Sequence, residues 1–277
     1  MTPFQRKHTM VELFNTIIYE PLFNALIWLY NTLPFQDLGV AIILLTIAIK
    51  LLLYRPTYSS IKAQRELQEI QPKLDALRAK YKNEKEKLSQ ELIKFYKHNK
   101  VNPFSSCLPL LIQLPILFAL YRVFFAGIQS DSGTGLLVQE QIDHLYPSLR
   151  AIYESTPIHA TFFGLIDLAK NHNIILALLA GGFQFLQSRM LIAKRPPNIE
   201  GAKDENMAAQ VSRSTAYLFP VITVFFGYNF PAGLALYWVV STMFTVGQQY
   251  LIFKQLDKKK NEEPKDPNTP IDVEAKA

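Results

Sequence analysis

Cysteine is nearly absent. Cys107 is the only one in 277 residues, so no disulfide can close within the chain and no thiolate cluster has metal-site spacing. The five histidines, His8, His98, His144, His159 and His172, are scattered with no pair at ligand spacing. No phosphate-binding loop, dinucleotide fingerprint or nucleophile elbow occurs. No metal, cofactor or catalytic residue is therefore expected, and nothing argues for an enzyme. Charge is missing over long stretches too: 49% of the residues are hydrophobic and 19% charged. The mean hydropathy of +0.07 hides this segregation. A soluble domain would interleave polar and apolar residues at helical or strand period; here apolar runs alternate with strongly basic ones. The pattern reads as all-α and polytopic: a five-helix transmembrane core, a cytoplasmic helical hairpin and an N-terminal amphipathic helix in the membrane interface.

The net charge of +6 suggests nucleic acid at first sight. Most of the basic residues flank apolar runs, however, where topology and anionic lipid headgroups account for them; ribosomal RNA is a second possible partner.

Residues 1–36 contain an apolar stretch interrupted by Glu12, Asn15, Glu20 and Asn24. Leu13, Ile17, Leu22, Leu26 and Leu29 suggest one apolar face, and Trp28 and Tyr30 suit headgroup level. A sixth span is the alternative. Residues 37–56 hold the first span. Residues 57–102 are charged yet helix-periodic, with Leu67, Ile70, Leu74, Leu77 and Tyr81 on one stripe and Leu88, Leu92, Phe95 and Tyr96 on another. Asn83 breaks the pattern, which predicts an antiparallel hairpin. The second span occupies residues 103–127, where Pro109 and Pro115 should bend it. A mixed loop covers 128–172, its FFGLIDL segment in the interface. The third span is 173–193, with Gly181 and Gly182 permitting close helix approach. A polar loop (194–213) with Lys194, Arg195, Lys203 and Arg213, a tight pair of spans (214–253) and a disordered tail (254–277) complete the division.

Lysine and arginine placement orients the chain. Roughly a dozen lie between Arg55 and Lys100, whereas 128–172 holds only Arg150 and Lys170. The hairpin, the polar loop and the C-terminus are therefore expected inside, and the N-terminus outside.

Orientation makes depth readable. Thr46 and Lys50 fall past the midpoint of the first span, and Gln113 lies about 14 Å in from the inner side at 1.5 Å per residue. Gln184 and Gln187 fall in the inner half of the third span; Ser241, Thr242, Gln248 and Gln249 run from mid-membrane inward. The outer halves are apolar, except for Arg122, which is close enough to the surface to snorkel. A channel would carry polar residues through both halves. A blind pocket opening inward, with one positive charge deep inside, suits reception of a polar and preferably acidic segment. Two readings of Lys50 stay open on the residues alone, because its stem can also snorkel to the nearer surface. The glutamines and hydroxyls can likewise serve as interhelical hydrogen bonds.

The segments KVNPFSSCLPLLIQLPILFALYRVF (100–124) and NFPAGLALYWVVSTMFTVGQQYLI (229–252) resemble the YidC/Oxa/Alb membrane protein insertases, as do IQPKLDALRAKY and FFGLIDLA. The resemblance runs from Leu13 to Phe253. It implies an insertase of the bacterial plasma membrane that passes newly made membrane proteins into the bilayer, alone or beside the Sec translocon, without ATP hydrolysis. The cytoplasm-open groove it implies takes in Lys50, Thr46 and Trp238 at matching positions, and Gln113, Gln184, Gln187, Ser241 and Thr242 join it by their depth. Lys50 stands where the family has an arginine, keeping the charge and losing the planar fork, which suggests a flexible, hydrated attractor. Pro56 lies one place later than the family's proline. The resemblance further implies a short form without a large extracytoplasmic domain, a mobile hairpin that first receives substrate, and a weak, transient ribosome contact through hairpin and tail. Two other functions compete: an ion- or proton-coupled transporter switched by Lys50, and an assembly chaperone for which the groove is incidental.

Overall fold

The computed structural model describes residues 10–81, 84–99, 101–102, 108–126, 135–191 and 205–262. Asn83, Cys107, the cluster Lys194, Arg195 and Lys203, and the tail beyond Glu262 lie outside the described residues. The architecture is helical, relieved by one two-strand ribbon.

The N-terminal helix, described from Met10 onward, passes through one π-helical turn, Asn15–Tyr19, into α1 (Glu20–Thr32). A π turn adds a residue and rotates everything beyond it. The buried stripe is consequently Tyr19, Phe23, Leu26, Ile27 and Tyr30, while Leu13 and Ile17, expected on the apolar face, are 56% and 62% exposed. Pro34 pushes Leu33 into extended backbone (ψ 134°) and ends the helix.

Asp37 caps α2 (Leu38–Leu52), its Oδ1 accepting from Val40 N at 2.8 Å. Leu38, Ala41, Ile42 and Leu45 face inward at helical spacing, and Leu44, Leu51 and Leu52 face out. The helix breaks at Leu53 (φ −88°, ψ 12°), and the chain bends by 69° into α3 (Tyr54–Lys80). Pro56 therefore sits in the first turn of a new helix, where its missing N–H is not needed. After Tyr81 the chain returns in α4 (Lys85–His98), which packs on α3 with no fully buried side chain.

Helix α5 is described over Leu108–Ala126, with Pro115 in its interior. The segment read as a mixed loop holds two short helices, α6 (Gln139–Asp143) and α7 (Pro147–Tyr153), and the ribbon β1 (Thr161–Phe162) and β2 (Ile166–Asp167), antiparallel with Thr161 opposite Asp167. Gly39 lets this ribbon dock, since a Cβ there would meet the Phe162 ring.

The last three helices are α8 (Ile174–Leu191), α9 (Glu205–Asn229) and α10 (Ala232–Glu262). Val224 of α9 packs where a Cβ of Gly181 would stand, whereas Gly182 faces open space, so half of the glycine pair permits the approach. Helix α9 starts inside the expected polar loop. Helix α10 continues nine residues past Phe253 into the expected disordered tail, helped by helix-forming Lys, Gln and Leu and by a Lys258–Glu262 pair at 3.7 Å. Helix α10 is central, packing against α2, α3, α5, α8 and α9.

One hydrophobic core joins α1, α2, α5 and α10 to the 135–168 segment. The outward faces are apolar as well, with Ile175, Leu178, Val221 and Phe225 all exposed. Water disfavours such a surface and hydrocarbon does not. By length and composition α8 is long and apolar enough to cross a membrane alone, and α2 with α3 passes as a bent pair. Leu111–Phe124 and Tyr217–Asn229 are shorter apolar segments.

Candidate functional site

The break at Leu53 places Lys50 in the last turn of α2. Its charge thus lies against the negative end of a helix dipole, where a cation is favoured. The side chain turns into the bundle: Nζ donates to Thr245 Oγ1 of α10 at 3.1 Å. Thr245 in turn donates to the Ser241 carbonyl at 2.8 Å. Lys50 is thereby tied across the α2–α10 seam by a single contact to a hydroxyl.

The other expected residues divide into two sets. Thr46 and Ser241 are buried on the two helices of this seam, and Thr46 donates to the Ile42 carbonyl at 2.6 Å. Gln113 of α5 donates to the hydroxyl of Tyr237, which is also within hydrogen-bond reach of the Ser241 side chain. These residues connect α2, α5 and α10 through polar contacts. Thr242 donates to the Trp238 carbonyl at 2.8 Å within its own helix, and half-buried Trp238 packs against the core. Gln184 and Gln187, half-buried on α8, make no side-chain hydrogen bond among the described residues. They are not joined to Lys50.

Thr245 and Tyr237 were missed by the reading of the sequence, though a signal existed. Tyr237, Ser241, Thr245, Gln248 and Gln249 recur every three or four residues on one face of α10. All five are buried. A polar stripe so long on the central helix has no counterpart on α8 or α9.

Arg122, expected close enough to a surface to snorkel, is held by neighbouring side chains. Its Nη1 donates to Asn15 Oδ1 at 2.6 Å, its Nη2 to Glu140 Oε1 at 2.7 Å, and its guanidinium stands 4.7 Å over the Tyr19 ring. The π turn supplies both Asn15 and Tyr19 to this arrangement. Two surface recesses, of about 480 and 450 Å³, lie around Asp37 and His159 and around Val221 and Phe225. Neither reaches Lys50.

The family model of the 60Kd inner membrane protein matches residues 28–260. The chain belongs to this family. Among its relatives in the family, the membrane protein insertase YidC of Syntrophus aciditrophicus is 36% identical over 237 residues, 85% of this chain and 36% of the relative. That of Actinobacillus succinogenes is 37% identical over 244 residues, 87% of this chain and 38% of the relative. That of Geobacter sulfurreducens is 31% identical over 242 residues, covering 87% and 38%. The chain therefore spans little more than a third of the length of these curated relatives.

Proposed function

We propose that this chain inserts newly made membrane proteins into the bilayer, with α2, α5, α8, α9 and α10 as its five spans. The N-terminus lies outside, and the α3–α4 pair and the C-terminus lie in the cytoplasm. There the ribosome is the expected neighbour, and within the membrane the Sec translocon. The observation that carries the reading is the position of Lys50. It is a cation at the end of an apolar helix, held by one neutral hydroxyl of Thr245 and paired with no carboxylate among the described residues. An acidic or polar flank of a nascent segment entering from the α3–α4 side would meet that charge first. Thr46, Gln113, Gln184, Gln187, Trp238, Ser241 and Thr242 would line its path.

No fuel is required. A segment that moves its apolar surface from water to hydrocarbon gains roughly 25 cal/mol per Å², and the site has only to lower the barrier to its polar flank. The test is insertion of a short-tailed acidic substrate into proteoliposomes. Lys50→Leu should slow insertion at least tenfold, and Lys50→Arg should retain it. Full insertion by the leucine variant would overturn the role of the charge. The family and the names of the relatives support insertion over solute transport.

A further inference from the structure

Beyond Thr245, the polar face of α10 continues to Gln248 and Gln249, three and four residues on. They are only 6% and 1% exposed. Both polar atoms of the Gln248 amide lack a hydrogen-bond partner among the described residues, as does Oε1 of Gln249. Ser60 of α3 is buried to the same degree, and its hydroxyl is also unpartnered. Two tie points bracket this region. Lys50 meets Thr245 above it; below it Arg65 meets Asp257 at 2.9 Å and stands 5.1 Å over the Phe253 ring. Helix α3 thus lies along α10 and covers the unpartnered groups.

Buried amides without partners are rare, because each forfeits its hydration. An amide with both a donor and an acceptor free is complementary to a group carrying both, and the commonest such group is a peptide unit. We propose that Gln248 and Gln249, with Ser60, form a subsite that pairs with the main-chain amides of a polar, non-helical substrate segment, independently of that segment's charge. The proposal rests on the insertase reading and adds a second kind of recognition to it: Lys50 attracts charge, and the glutamines hold backbone. The cover is removable. Asp257 is 52% exposed, so its pair with Arg65 is a weak surface tie, and the 69° bend at Leu53 supplies a pivot.

The test uses the full chain in proteoliposomes and two single-span substrates with neutral flanks, one of glycine and serine, the other with each glycine N-methylated. N-methylation removes N–H donors and lowers the cost of desolvation, so without a backbone subsite the methylated flank should insert faster. We expect the wild-type chain to insert the unmethylated flank about five- to tenfold faster, the equivalent of roughly one hydrogen bond. Gln248→Met should abolish that preference by slowing the unmethylated flank alone, as should Gln249→Met. Both variants should fold, because exchanging an unpartnered buried amide for an apolar side chain is close to neutral. The proposal is overturned if the wild type shows no preference, if both variants keep it, or if they slow both flanks equally. These results leave the insertase reading intact when the acidic substrate still inserts. A wild-type chain that inserts no substrate overturns both.

Discussion

Arg122 and Lys50 are both cations within apolar helices, at opposite ends of the bundle, and their surroundings differ in kind. Arg122 is engaged on two edges and one face by Asn15, Glu140 and Tyr19. Its neighbourhood is largely paired, Gln141 Oε1 excepted. Buried Asn24 donates to the carbonyls of Glu20 (2.9 Å) and His144 (2.8 Å) and accepts from Tyr146 N at 2.6 Å. Gln141 Nε2 donates to the Val123 carbonyl at 3.1 Å. Lys50 has one hydroxyl among the described residues, and one turn further along α10 Gln248 and Gln249 carry unpartnered amide atoms. Paired polar groups hold a structure together, whereas unpaired ones remain available to a ligand. The difference teaches that polarity near Arg122 is spent on the fold, while on the proposed reading the unpaired part of the polarity beyond Lys50 serves an occupant.

Substitutions can break this contrast. Asn24→Leu should have the largest effect on stability, about 2–4 kcal/mol, since it strands the Tyr146 N–H and the His144 carbonyl. Thermal unfolding in detergent would measure it, and an unchanged midpoint would remove the structural role of the outer network. Arg122→Leu should cost about 1–2 kcal/mol, moderated because Glu140 is mostly exposed. Arg122→Lys should fall between, because an ammonium cannot hold two partners and lie flat on Tyr19. Lys50→Met should change stability by less than about 1 kcal/mol in either direction, since it removes a desolvated charge together with one hydrogen bond, while insertion falls. A large stability loss there would make Lys50 a second Arg122.

Alkaline pH should loosen the end of the fold that holds Tyr153. Burial beside Tyr30 pushes the Tyr153 hydroxyl up to about 12. The folded state thus favours the protonated phenol. Its contribution is complete below the ordinary value near 10 and is lost as pH rises through 12. Tyr153→Phe should remove this dependence in unfolding curves recorded from pH 9 to 12.

Much of this was readable one turn at a time. Pro34 ending α1, Asp37 capping α2 and the anomaly of Lys50 are local facts of composition and spacing. The π turn was not readable, and it moved the buried face of the N-terminal helix away from Leu13 and Ile17. Nor was the end of α10: the lysine-rich stretch after Phe253 reads as a polar tail, and it is helical because its residues favour helix and adjoin one already formed.

By itself the sequence determined the segregation of apolar and basic stretches, the helices and the depth of Lys50, because periodicity and charge placement act over a few residues. The tertiary structure alone decided what each cation touches. Thr245 is 195 residues from Lys50, and Asn15 is 107 from Arg122. Such partners are chosen by how helices pack, and the same packing gave one cation three partners and the other a single hydroxyl.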